Sequence, residues 1–261
     1  MRRLFPVTDM TANDDAAGDR EWSLDELADA YAYPDLAEAP DGVWLRANMV
    51  SSLDGAAQHD GRSQPISSDT DMRIFGTLRA LADVVVVGAE TVRQEGYRPA
   101  RAREAFAARR AAAGQGPAPV IAIITSSLDL DFSLPLFTSP LAPTLVLTGE
   151  DAPAERVAAA ERAGAQVVRA GEGTRVDPER AKRELVARGL RRQLTEGGPR
   201  LLGQFVASGA LDELCWTVSP TMTAGSAQRI AGGPSVTVPA RFSLASVLEE
   251  AGFLYTRYRR I

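Results

Sequence analysis

At 261 residues, with 45% hydrophobic and 24% charged residues, the chain has the bulk of one large or two small globular units. A net charge of −5, with 29 Lys and Arg scattered along the chain, argues against a nucleic acid held by counterion release; a single cysteine, Cys215, excludes an intramolecular disulfide and a cysteine-rich zinc site. No apolar run approaches the roughly eighteen residues of a membrane helix, and the acidic, interrupted start does not read as a secretory signal, so the expectation is a cytoplasmic protein acting on a small molecule, with no metal.

Residues 1 to about 20 read as a loose polar tail. Ser23 with Glu26 three places on makes a capping box for a helix over LDELADAYAY, closed by Pro34. Tail and helix together read as an N-terminal appendage, 1–40, ahead of a main domain over 41–261. WLRANMV (44–50) is a strand, SSLDG a turn, and Ser68 or Asp69 caps a helix running to about Ala82. A β-branched strand at 83–88 leads to Gly88, with Thr91 opening a helical turn. REAFAARRAAA is helical to Gly114, PVIAIIT (119–125) and TLVLT (144–148) are buried strands, and AERVAAAERAG is a helix ending at Gly164.

QVVRA, DPERAKRELVARG and LRRQLTE repeat the alternation of strand and helix, which predicts a mainly parallel sheet with right-handed crossovers. The end of the chain departs from it. DELCWTVSP (212–220) is a strand holding Cys215 as a buried residue, a Gly/Ser/Thr-rich loop follows, and RFSLASVLE and FLYTRYRRI around Glu250-Ala251-Gly252 form an antiparallel hairpin. Trp216, Phe253 and Tyr255 give that hairpin apolar edge material for a homodimer.

Chemistry concentrates at two strand-to-helix corners. In the second, at 189–205, Glu196 precedes Gly197-Gly198-Pro199 and an amphipathic segment. Glycines let backbone approach a ligand, Pro199 suits the first helical position, and the free amides of the first turn favour an anion. Glu196 would repel a phosphate and so serves another part of the ligand. The first corner, at Gly88 and Thr91, has the same design, and neither follows the GxGxxG spacing of the standard dinucleotide fingerprint.

Taken together, ANMVSSLDG, ISSDTDMRIFGTLRALADVVVVGAETVRQEG and LTEGGPRLLGQFVASGALDELCWTVSP resemble, in order, the pyrimidine reductases of riboflavin biosynthesis. The resemblance covers roughly residues 43–260. It implies a dihydrofolate reductase-like three-layer α/β/α fold: an α/β protein with a mixed, mostly parallel sheet and a C-terminal antiparallel hairpin. It also implies NADPH as cofactor and reduction of the ribosylamino group of a phosphoribosylamino-pyrimidine to ribitylamino. Carried over by motif, Asn48, Ser51 and Asp54 surround the junction of nicotinamide and substrate. Ser63 and Arg79 meet the substrate, with Arg98 or Arg101 as a second substrate arginine, and Glu196 meets the pyrimidine. Gly88, Thr91 and Glu95 form the upstream cofactor corner, Thr125 and Ser126 lie where the fold receives the 2′-phosphate, and Gly197, Gly198, Pro199, Arg200 and Leu201 follow the pyrophosphate.

The chain departs from the family pattern in three places. Glu95 stands where the family has Asp, GYRPARAR replaces DDPxLTxR, and Gly76 replaces a histidine. With one cysteine, the H-x-E and P-C-x-x-C elements of a zinc deaminase module cannot be drawn, so the reading is a stand-alone reductase. Asp54 before Gly55 reads equally as an Asx-turn residue. Two other activities fit the same motifs: reduction of a pterin such as dihydrofolate, and non-catalytic NADPH binding.

Overall fold

β-Branched and aliphatic runs at the centre of the chain have no polar face, so their strands must be covered on both sides. The computed structural model describes residues 1–6 and 20–261 and shows how this is done. Strands β3 (Val84–Gly88), β4 (Val120–Ile124), β5 (Leu145–Thr148) and β6 (Gln166–Arg169) lie parallel in that order. β7 (Arg192–Thr195) pairs with the free edge of β3, then β2 (Trp44–Ser51) with β7, and β8 (Glu213–Val218) with β2, all parallel. The hairpin of β9 (Phe242–Glu250) and β10 (Phe253–Arg260) adds antiparallel to β8 through β10. The result is the expected mixed, mostly parallel sheet with an antiparallel C-terminal hairpin.

Two apolar clusters fill its faces. On one, Val85, Val87, Ile121, Ile123 and Val146 meet Leu27 of α1 (Leu24–Ala30), Ile74 and Leu78 of α2 (Asp69–Leu81), Val92 of α3 (Ala89–Glu95) and Phe106 of α4 (Glu104–Ala112). The short α5 (Pro135–Thr138) and α6 (Ala154–Arg162) extend this layer. On the other, Leu45, Ala47, Val84 and Val86 meet Leu185 of α7 (Pro178–Val186) and Leu201, Leu202 and Phe205 of α8 (Pro199–Ser208). Alternation along each strand sends neighbours to opposite clusters, which makes three layers.

The N-terminal region corrects two expectations. Arg2–Phe5 is not loose tail: it forms β1, which pairs antiparallel with β9 at the sheet edge. The expected tail's remaining residues, 7–19, lie outside the described ones. Ser23 and Glu26 do form the capping box, but α1 is no appendage. Leu27, Ala28 and Tyr31 are fully buried, and the Tyr31 carbonyl accepts from Arg46 Nη1 at 2.7 Å. The hairpin is also less open than expected: β1 covers its outer strand, and Tyr255 is core.

A buried charge cluster ties β2 to β8 and β10. Glu213, fully buried, sits 2.7 Å from Arg46 Nε and 3.1 Å from Arg257 Nε, and accepts from Trp44 Nε1 at 3.2 Å. Burial works against its charge, but Arg46 and Arg257 overcome that and hold its carboxyl down at about 2. Cys215, expected as a buried strand residue, is one, and burial pushes its thiol up to about 12.

Candidate active site

Because β3 and β7 are parallel neighbours, their C-terminal corners open side by side. The two glycine corners touch: Gly88 N–H donates to the Gly197 carbonyl at 2.8 Å. Gly197 turns at φ +77° and its peptide to Gly198 is cis. A side chain at Gly198 would place its Cβ 2.7 Å from Thr91 Oγ1, so only glycine lets the two corners close on each other. Pro199 opens α8, whose next amides, from Arg200 and Leu201, lie in the first turn, where helical amides lack partners within the helix. Leu201 contributes backbone alone, since its side chain is core.

In front of these corners lies a cleft of about 890 Å³. Asn48 enters it from β2, Ser63 and Gln64 from the loop before α2, Arg79 from α2, Thr91 and Glu95 from α3, and Glu196, Gly198 and Pro199 from the second corner. Ten expected positions thus share one cavity, Arg98 and Arg101 being the remaining two.

Two of them hold each other. Arg79 Nε and Nη2 donate to Glu196 Oε1 and Oε2, both at 2.6 Å, and Tyr97 Oη donates to Oε2. The guanidinium is flanked by the rings of Phe75 at 4.4 Å and Tyr97 at 5.2 Å. Burial opposes charge on Arg79, but Glu196 raises its pKa above the ordinary arginine value. Burial, then Glu196, keeps the Tyr97 hydroxyl protonated well above its usual range. Arg79 and Glu196, expected on separate parts of the substrate, therefore form one bidentate unit made through Nε and Nη2 of Arg79. Ser63 and Glu95 also meet, Ser63 Oγ donating to Glu95 Oε1 at 3.2 Å.

Other expected positions lie off the cleft lining. Ser51 Oγ donates to the Ser52 carbonyl and accepts from Trp216 Nε1 at 3.0 Å. Asp54 accepts from Ser52 Oγ at 2.5 Å and from the amides of Thr223 and Ala224 at 3.2 and 2.7 Å. Those three donors, Ser52 first, draw its carboxyl down to about 2. Asp54 thus clamps the 52–56 turn to the loop after β8, and it makes no Asx turn: the amide two residues on, of Ala56, donates to Ser52 Oγ instead. Thr125 Oγ1 accepts from the Leu128 amide at 3.0 Å at the end of β4, beside exposed Ser126.

Several cleft residues escaped the sequence reading. Tyr97 is one, and Asp71 another. Asp71 is buried, faces the cleft from the first turn of α2, and accepts from Thr217 Oγ1 at 2.7 Å and Ser67 Oγ at 2.6 Å. Burial raises its pKa against those two donors. Its signal is a carboxylate on the stripe of Ile74, Phe75 and Leu78, where helical spacing calls for an apolar residue. At the far end of the cleft stand Arg98, Arg101 and Arg103, none of them ion-paired among the described residues, while Arg110 spends its guanidinium on the carbonyls of Ala80, Ala82 and Gly116.

The family model for the RibD C-terminal domain matches residues 43–251. A protein of Archaeoglobus fulgidus named 2,5-diamino-6-ribosylamino-4(3H)-pyrimidinone 5′-phosphate reductase is 28% identical over 183 residues, 70% of this chain and 82% of its own. Its namesake in Methanothermobacter thermautotrophicus is 30% identical over 178 residues, 68% of this chain and 78% of its own. The crystal structure of a pyrimidine reductase-like protein from Corynebacterium diphtheriae superposes with a TM-score of 0.79 at 25% identity, over 92% of this chain and 99% of that one.

Proposed function

The chain belongs to the RibD C-terminal domain family, and we propose that it is a riboflavin-pathway reductase that uses NADPH to convert the ribosylamino group of a phosphoribosylamino-pyrimidine into a ribitylamino group. The observation that carries the substrate reading is the charge of the cleft. Arg79 is neutralised by Glu196, yet Arg98, Arg101 and Arg103 remain without an acid among the described residues, which suits a phosphorylated substrate.

The touching glycine corners fit a dinucleotide. Gly198 against Thr91 leaves a cradle that a Cβ would fill, and the amides of Arg200 and Leu201 would seat the pyrophosphate. The cofactor, when bound, supplies the hydride that adds to C1′ of the ring-opened ribosylimine. That C=N bond becomes a C–N single bond, and its nitrogen takes a proton. Asp71 is the acid we assign to it: among the described residues it is the buried cleft carboxyl with no cationic partner, and burial favours its protonated form. Arg79, held flat by Glu196, Phe75 and Tyr97, orients the ribose side, and Asn48 forms the strand wall beside the corner.

One observation favours a second reading. A buried carboxyl beside a threonine hydroxyl also suits the paired N–H groups of a pterin, so Asp71 with Thr217 supports dihydrofolate as the alternative. Mixing the protein with NADPH and each substrate, and following the absorbance of the reduced nicotinamide, separates the two. Turnover with the phosphorylated pyrimidine is expected; turnover with dihydrofolate alone would establish the second reading. Binding of NADPH with no turnover of either leaves a non-catalytic binder. The reading includes a cytoplasmic homodimer, supported by exposed Leu4, Phe5 and Leu244 along the outer strands of the sheet, and light scattering tests it.

A further inference from the structure

The loop that follows β8 is tied to the cleft at two places, yet it has no core of its own. Every residue from Thr221 to Gly233 is exposed or half-buried, so side-chain burial does not hold it. Backbone bonds do. At the near end Asp54 takes the amides of Thr223 and Ala224, Leu53 N–H donates to the Thr221 carbonyl at 2.7 Å, and Ala57 N–H donates to the Gln228 carbonyl at 2.7 Å. Ala56 and Arg229 add a β-bridge beside them. At the far end Gly232 N–H donates to the Pro199 carbonyl at 3.0 Å.

The far anchor needs a bare helix. A Cβ built on Gly203 of α8 would stand 1.6 Å from the Gly232 carbonyl oxygen, so loop backbone lies directly on helix backbone and only glycine fits beneath it. Both anchors are also cleft wall. Ala57 lines the cleft beyond the end of β2, Pro199 lines it at the start of α8, and each bonds the loop through its own backbone. β2 ends at Ser51, so the sheet does not place Ala57; the loop does.

We propose that residues 221–233 are a strap that fixes the distance between the Ala57 wall and the first turn of α8, and that Asp54 and Gly203, which hold its two ends, are positioning residues for the cofactor. This deepens the NADPH reading and rests on it. A dinucleotide is long enough to reach both walls, and its two halves then bind as linked modules whose joint affinity exists only while the spacing fits. Neither Asp54 nor Gly203 lines the cleft, so both act through the strap.

The test uses calorimetry on two probes: NADPH, and adenosine 2′,5′-bisphosphate, which keeps the phosphate end and lacks the nicotinamide. Asp54→Ala should weaken NADPH roughly tenfold and leave the bisphosphate within about twofold of wild type. Gly203→Ala should show the same split. The double variant should bind NADPH no more weakly than the worse single variant, because a strap released at one end is already slack. Additive losses, equal losses on both probes, or unchanged NADPH binding overturn the proposal, equal losses being what plain damage to α8 would give. Asp54 is exposed, so its variant carries the test even if Gly203→Ala does not fold.

A measurement on the free protein stands apart from the cofactor. Asp54→Ala should speed hydrogen exchange of the Gly232 amide, at the opposite end of the loop, at least roughly tenfold. An unchanged rate overturns the strap. Should wild type bind no NADPH, the NADPH reading is what fails, and exchange alone then decides the strap: acceleration upholds it as the spacer of the two walls, and no change removes it.

Discussion

Removing Arg79 and removing Glu196 should have unequal consequences. The Glu196 side chain is 3% exposed and the Arg79 side chain 25%. Arg79→Met leaves a buried carboxylate that keeps only the Tyr97 hydroxyl. Breaking a buried pair from one side costs about 3 to 5 kcal/mol, and the partial exposure of Arg79 places this case near the bottom of that range, at about 3 kcal/mol. Glu196→Gln leaves a guanidinium that can turn its open side to water and stay stacked on Phe75 and Tyr97, so roughly 1 kcal/mol is expected. The double variant has no stranded charge and should cost less than the two single changes added together, with a coupling of about 2 kcal/mol. Urea midpoints at constant slope measure all four proteins. Equal single costs that add to within about 0.5 kcal/mol would show that the two groups are not one unit, and the account of the cleft floor would fail with them.

Gly198→Ala should weaken NADPH binding, followed by fluorescence titration, at least roughly tenfold, because its Cβ meets Thr91 Oγ1 at 2.7 Å. Adding Thr91→Ala should restore part of that affinity, and no rescue would sink the explanation. Glu213 is held at about 2, below its ordinary value of 4.5, so it contributes stability that is present above about pH 4.5 and lost as pH falls toward 2. Glu213→Gln should cost roughly 3 kcal/mol at neutral pH, and its deficit against wild type should shrink through that acid window in an acid-unfolding series. Asp71 has the opposite sign: its raised pKa makes a contribution present below the ordinary carboxylate value and lost as pH climbs through the raised one. Asp71→Asn should therefore match or exceed wild type in neutral-pH stability while turnover drops at least roughly a hundredfold; parallel losses of both would mark Asp71 as merely structural.

The alternation of strand and helix was legible because buried parallel strands must be apolar throughout, as Val84 to Val87 are. Caps were legible too: Ser23 and Ser68 each accept from the amide three residues on. What could not be read was anything set by contacts between distant segments. Arg79 and Glu196 are 117 residues apart, so their union is invisible along the chain, and each looked available to a different part of the ligand. Asp71, on α2, is joined to Thr217 of β8, 146 residues on, a partnership the chain order does not show. β1 was missed because its residues are exposed on both faces and show no alternation. Asp54 carried a motif-based expectation, and two of its three donors, the amides of Thr223 and Ala224, are 169 and 170 residues away and so equally invisible along the chain.

The place of β2 has a consequence for synthesis. It is hydrogen-bonded on one side to residues 192–195 and on the other to residues 213–218, and Arg46 within it is buried against Glu213. A ribosome therefore releases Leu45 and Ala47, both fully buried in the finished protein, some 150 residues before either flanking strand exists. Until then those side chains stay wet, so the nascent chain needs shelter from aggregation, and a stop anywhere before β8 yields a product with at least one side of its central strand unpaired.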